Sequence, residues 1–211
     1  MAVTRFCDQP GLRTVGGTKN PDVSAIVGLE PDLVVMDEEE NRREDADALV
    51  AAGLRAHATA VRGLGDVDRE LDALADALGV RRPEAERVAF ESMAIEADAP
   101  PARRAFVPIW RRPWMTINGD TYGASLLSRL GVANVFADAV EHYPTVTLDE
   151  VAVRRPELVL LPSEPYVFAT RHRVELEPVQ AEIRFVDGRD LFWWGARTPV
   201  ALERLRQSIG T

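Results

Sequence analysis

Two stretches of this chain echo one another, and an internal repeat restricts the fold more than any total of composition does. "NPDVSAIVGLEPDLVVMDEEEN" starts at Asn20 and "YPTVTLDEVAVRRPELVLLPSEPY" at Tyr143. Each runs Pro, any residue, Val, a short helical stretch, a second Pro, an acid, then Leu-Val and an apolar run ending in acidic and polar residues. Pro21 and Val23 align with Pro144 and Val146 at one offset, and Pro31 aligns with Pro156 after a slip of two positions. In the first copy Asn20 is expected to cap a helix with Pro21 at its first position; in the second, Thr147 and Glu150 have the spacing of a capping box. Both helices stop at a proline, which has no amide hydrogen to extend the ladder. The runs Leu33–Met36 and Leu158–Leu161 are continuous rather than alternating, as in parallel strands covered on both faces. The chain is therefore expected to fold as two related α/β halves, with ligands received beyond the carboxyl ends of the strands.

Further strand candidates are Val3–Phe6, Arg55–Thr59, Phe106–Trp110, Met115–Asn118 and Ile183–Val186. Helices are marked by "ENRREDADALVAAG", with Gly53 as stop, and by "TYGASLLSRLG", where Tyr122, Leu126, Leu127 and Leu130 share a face before Gly131. The last helix starts at Thr198-Pro199 and carries Val200, Leu202, Leu205 and Ile209. Residues 65–104 carry no strand signal: a helix to Leu78, a break at Gly79, then a helix from Pro83 to Asp98 closed by Pro100-Pro101. A helix of about 16 residues spans about 24 Å and is stiff where a Gly/Ser linker is not. The expected organisation is an N-terminal lobe 1–64, a helical backbone linker 65–104 and a C-terminal lobe 105–211.

A net charge of -9 repels phosphate backbones and anionic headgroups, and no Lys/Arg stripe with interleaved aromatics offsets it, so nucleic acid is not an expected partner. Cys7 is the only cysteine, which excludes an intrachain disulfide and a paired-cysteine metal site. No apolar run reaches the roughly 18 residues of a membrane span. "MAVTRFCDQP" has neither a basic n-region nor an apolar h-region, so the sequence as it stands reads as cytoplasmic. Cys7 as a lipid anchor would need an apolar segment before it, and "VTRF" carries Arg5.

"PIWRRPWMTINGDTY", Pro108 to Tyr122, concentrates aromatic and basic side chains in a chain with 7% aromatic residues. With "VGGTKNPDVSAIVGLEPDLVV", "WRRPWMTINGDTYGASLLSRLGVANVF" and "YPTVTLDEVAVRRPELVLLPSEPYVF", the sequence resembles the substrate-binding components of ABC importers for cobalamin and ferric chelates. These are the helical-backbone metal receptors, or periplasmic binding proteins of class III, and the resemblance covers nearly the whole chain. It implies an α/β fold of two similar three-layer lobes with mostly parallel sheets joined by a long helix, a ligand held between the lobes, a permease partner, an extracytoplasmic location and a monomer without an intrinsic cofactor. Members of the family start with one more strand and helix. Roughly 30 residues and an export signal are therefore expected to be missing, leaving lobe one with exposed apolar surface.

A corrinoid, the ligand the resemblance favours, or another metal chelate such as a siderophore is wide, partly apolar and rimmed by polar groups. Its site needs flat aromatic faces and a few donors and acceptors. Trp110, Trp114, Tyr122, Tyr166, Phe168, Trp193 and Trp194 supply faces, and Arg111 and Arg112 meet amide or carboxylate groups, the latter bidentately. Phe6 and Cys7, from the segment "AVTRFCDQP", and the acceptors Asp120 and Glu164 complete the implied set. Plainer readings stand beside these. Trp110 and Trp114 flank a turn at Pro113 and serve equally as core; Tyr122 lies on the apolar face of its helix; Trp193 and Trp194 point opposite ways if extended. Asp120 or Thr121 is a helix N-cap, and Gly16-Gly17-Thr18-Lys19 is a tight turn without nucleotide-fingerprint spacing. Tyr166, just past a strand end, is the aromatic best placed for a ligand.

Glu38 to Glu40 and Glu44 form an acidic run near a helix start, where carboxylates suit the macrodipole. The family docks one acid per lobe onto its permease, which singles out Glu44 and Glu164. His57, His142 and His172 are not spaced to share a metal. Two other classes remain: a cytoplasmic corrinoid or iron-chelate carrier, and an enzyme using Asp120 and Glu164 as an acid–base pair, for which no nucleophile elbow, Cys-His partner or metal motif speaks.

Overall fold

The computed structural model describes residues 2–3, 11–87, 89 and 103–210. Phe6, Cys7, most of the Val3–Phe6 strand and, residue 89 apart, the linker helix beyond its helical turn at 84–87 lie outside the described residues. The chain divides into two compact units, the first Met1–Ala60 with Asp72–Arg82, the second Val61–Leu71 with Pro83–Thr211.

In unit 1, β1 (Ala2–Val3) runs parallel to β2 (Arg13–Thr14), and β3 (Val34–Asp37) parallel to β4 (Ala56–Thr59). Helices α1 (Val23–Val27) and α2 (Arg43–Ala51) lie in sequence on either side of β3, and Ile26, Met36 and Leu49 form the small core. Asp22, not Asn20, caps α1: its carboxylate accepts from the Ala25 amide at 2.9 Å. Asn20 is spent on a turn, exchanging backbone bonds with Gly17, while Pro21 bridges to Gly16. Gly16 has φ +94°, and a Cβ there would stand 2.6 Å from the Asn20 carbonyl oxygen, so this turn requires glycine. β3 departs from the expected double cover, since Val35 is half exposed and only Met36 is buried. Helix α3 (Leu64–Leu78) supplies residues to both units and stops at Gly79, φ +67°.

Unit 2 is built on a parallel sheet of β5 (Arg103–Phe106), β8 (Val132–Asn134), β10 (Leu158–Pro162) and β11 (Glu182–Val186) in the order β11-β10-β5-β8. All five residues of β10 are buried. Alternation sends Leu158 and Leu160 into one apolar cluster and Val159 and Leu161 into another, so both faces of this sheet are covered. Each fully buried aliphatic side chain contributes about 1.5–3 kcal/mol. The first cluster is closed by α4 (Tyr122–Arg129), α6 (Gly188–Phe192) and α7 (Thr198–Ile209), the second by α5 (Leu148–Val153) and a 3-10 segment, Thr170–Val179. On α7 the buried face is Ala201, Leu202, Leu205 and Ile209; Val200, expected on it, is exposed. The Thr147–Glu150 capping box of α5 is present in both directions.

The strand expected over Phe106–Trp110 is two. After β5 the chain leaves the parallel sheet at Pro108, which cannot donate to the ladder, and β6 (Pro108–Trp110) joins β7 (Trp114–Thr116) and β9 (Thr145–Val146) in an antiparallel sheet. The internal echo is matched in backbone detail. Glu30 before Pro31 and Arg155 before Pro156 both take left-handed conformations, φ 48° and 49°. Each donates its amide 3.1 Å to the carbonyl three residues back, Val27 and Ala152. Non-glycine residues rarely adopt this conformation, so its recurrence at aligned positions goes beyond a shared composition.

Candidate functional site

The hairpin β6–β7 and the chain leaving β10 bring a row of aromatic residues of unit 2 together. The Trp110 ring stands edge-on to Tyr166 with centroids 5.4 Å apart, and Tyr166 leans on Phe168 at 4.8 Å and on His172 at 5.6 Å. Phe168 lies parallel to Trp114, 6.0 Å away and tilted by 6°, and Trp114 meets Phe106, which meets Phe136. The two ends of this chain of rings differ in burial. Phe136, Phe106 and Phe168 are buried, Trp114 and Tyr166 half-buried, and Trp110 is 44% exposed. Each aromatic pair adds about 0.5–1.5 kcal/mol beyond area burial. The result is a wall of rings anchored in the core, with Trp110 and Tyr166 at its solvent end.

Arg111 is folded back beside this end. Its Nε donates to Glu175 Oε2 at 2.8 Å, its Nη2 to Glu175 Oε1, and its Nη1 to the Tyr166 hydroxyl at 3.5 Å. These hydrogen bonds hold Arg111 above its ordinary range and Glu175 below the usual carboxylate range. His172 is buried beneath Tyr166 and Phe168, and its Nδ1 accepts from the Ala169 amide at 3.0 Å. Burial first, then the charges of Arg171 and Arg111, push its pKa down.

A second group lies at the carboxyl ends of β10 and β11. Trp193 is exposed, with the Arg189 and Arg197 guanidinium carbons 5.1 and 5.8 Å from its ring, while Trp194 packs inward against the first core cluster. The two rings thus go opposite ways, as extended backbone at Trp193 dictates. Glu164 is partly buried, which pushes its carboxyl up; a hydrogen bond from Trp193 and the charge of Arg189, 3.7 Å away, pull it down less strongly.

Other residues singled out in the sequence lie elsewhere. Tyr122 is a core residue: it is buried, its hydroxyl pairs with Thr198 at 3.0 Å, and burial pushes its phenol up to about 12. Thr121, not Asp120, caps α4; the exposed Asp120 carboxylate lies 3.2 Å from His142 Nε2 and 3.8 Å from Arg62. Asp120 and Glu164 therefore have separate partners. Glu44 is exposed in the first turn of α2, in unit 1. Among the described residues no three His, Cys, Asp or Glu side chains converge on a metal-sized site, and no helix is long and apolar enough to cross a membrane. Glu175 and the Arg189–Arg197 bracket escaped the sequence reading. The signal present was the alternating charge of "TRHRVELE" directly after the Tyr166 strand end.

Aromatic residues thus gather at the carboxyl ends of a parallel sheet, and the chain has the class III periplasmic binding-protein fold. It superimposes on the periplasmic vitamin B12-binding protein BtuF of Vibrio cholerae with a TM-score of 0.82 at 19% identity, over 99% of this chain and 87% of that one. The apo periplasmic heme-binding protein RhuT of Roseiflexus sp. RS-1 gives a TM-score of 0.74 at 22% identity, over 94% and 82% of the two chains. In sequence the chain is 22% identical over 170 residues to the vitamin B12-binding protein of Vibrio vulnificus, a match spanning 76% of this chain and 62% of that protein's length. No protein-family model matches the chain. The relatives are binding proteins by name, not enzymes.

Proposed function

We propose that this chain is the substrate-binding component of an ABC importer, and that it receives a metal chelate, with a corrinoid as the ligand, and delivers it to a permease. The observation that carries this reading is the solvent end of the aromatic wall. Trp110 and Tyr166 offer a rigid apolar face at the carboxyl end of a parallel sheet, with guanidinium and carboxylate groups at its edge. Rings held by ring neighbours lose little freedom on binding, so a flat ligand gains affinity from a preorganised surface. Relatives named for vitamin B12 and for heme support the ligand class. In this reading the protein works outside the cytoplasm, as do the relatives named periplasmic, with a lobe 1–64, a linker 65–104 and a lobe 105–211. Its chelate is cargo rather than cofactor. Glu44, exposed at a helix start, is the stronger permease-docking candidate, because Glu164 is already engaged by Trp193 and Arg189.

The test is titration of the purified chain with cyanocobalamin, hemin and a ferric siderophore, followed by absorbance and calorimetry. Saturable binding of cyanocobalamin is expected. Absence of heat and of spectral change with all three refutes the proposal.

A further inference from the structure

We infer that Glu175 sets the charge preference of this ligand face, reserving it for a chelate whose rim is uncharged; the inference rests on the reading under Proposed function. Arg111 is the cation in contact with Tyr166, and Tyr166 carries the exposed Trp110 ring against it. A guanidinium beside a flat aromatic platform is the group a carboxylate-rimmed planar ligand would seek, through two parallel N–H···O bonds.

Glu175 already occupies that edge of the guanidinium. Nε and Nη2 of Arg111 each donate to one of its oxygens, across 64 positions of sequence, and the Arg111 side chain keeps only 12% exposure. An incoming carboxylate must either displace Glu175 or sit against its charge; an amide meets a pair that is neutral as a whole. The surroundings sharpen the contrast. Arg112 acts on both Glu175 and His172 through space, and Arg171 acts on His172, so the Glu175 charge holds back an otherwise cationic face. Glu175 is thus a positioning and charge-compensating residue for Arg111, and specificity is decided by the difference in affinity between two ligand rims.

The experiment titrates the parent chain, Glu175→Gln, Arg111→Gln and the double variant with cyanocobalamin, whose rim is amides, and with hemin, whose rim carries two carboxylates. Glu175→Gln is expected to raise the hemin-to-cobalamin affinity ratio by about tenfold or more, and to leave it within about twofold when Arg111 is already Gln. Glu175→Ala, with no acceptor at all, gives the same reading should the Gln variant fold poorly. An unchanged ratio in both variants, the same rise without Arg111, or a parent chain that prefers hemin overturns the inference while chelate binding stands. A parent chain that binds neither ligand overturns this inference, and one that also fails to bind the ferric siderophore overturns the functional proposal with it.

Discussion

Replacing Gly188 by Ala tests how tightly the two strand ends beside the candidate site are joined. Gly188 opens α6 directly after the capping Asp187, and its amide donates to Ser163 Oγ at 3.0 Å. A Cβ at this position would stand 2.6 Å from the Glu164 carbonyl oxygen, 2.7 Å from the Glu164 amide nitrogen and 2.6 Å from its Cγ. Two of these atoms are backbone, so no rotamer change relieves the overlap, and the chain between β10 and Tyr166 must shift. Overpacking of this kind costs about 1–3 kcal/mol, and the backbone contacts put Gly188→Ala at the upper end. For a unit of this size about 3 kcal/mol lowers Tm by about 6–12 °C. Gly65, in the first turn of α3, is the control: a Cβ there meets nothing within 4 Å, so Gly65→Ala is expected within about 0.5 kcal/mol of the parent. Thermal unfolding followed by circular dichroism reads both. Should Gly188→Ala melt within about 2 °C of the parent, the close approach of α6 to Glu164 is wrong.

Three further outcomes follow from the same contacts. Tyr122 is buried with its phenol raised to about 12, so the folded state favours the neutral phenol, and the stability this gives is whole below pH 10 and lost as pH rises toward 12. Urea midpoints of the parent should fall by the equivalent of about 2–3 kcal/mol more than those of Tyr122→Phe across that window, and parallel curves would contradict the assignment. His172 carries a lowered pKa, so its contribution is present above its ordinary value of 6.5 and lost as pH falls below it; His172→Gln should flatten stability between neutral pH and pH 5, and an unaltered slope would refute the role. Trp114→Ala or Tyr166→Ala should weaken chelate binding by about tenfold or more, whereas His142→Ala, whose ring contacts Asp120 and Tyr143, should stay within about twofold. Equal losses in calorimetry for all three would remove the aromatic face from the site.

Elements whose hydrogen bonding is local were legible in the sequence. The capping box at Thr147, the glycine stops at Gly53, Gly79 and Gly131, and the buried strand Leu158–Leu161 follow from residues within a turn or two of each other. The same logic failed where a longer contact competed. Asn20 lost its cap because Gly16 and Pro21 close a bridge around it, and β8 and β9 gave no signal because pairing with β5 and β7, distant in sequence, makes them strands. Val35 reads as core in a continuous apolar run yet is half exposed, since a run specifies apolar residues and not what lies over them.

By itself the sequence determined an α/β chain with a repeated helix–proline–strand unit and an aromatic cluster too dense for its composition, because period, caps and breakers act over a few residues. Only the tertiary structure decided that Tyr122 and Trp194 turn inward, that Trp110 and Tyr166 end the row of rings in water, and that Arg111 finds its carboxylate at Glu175. Which way a side chain faces depends on the element packed against it, and that element comes from elsewhere in the chain.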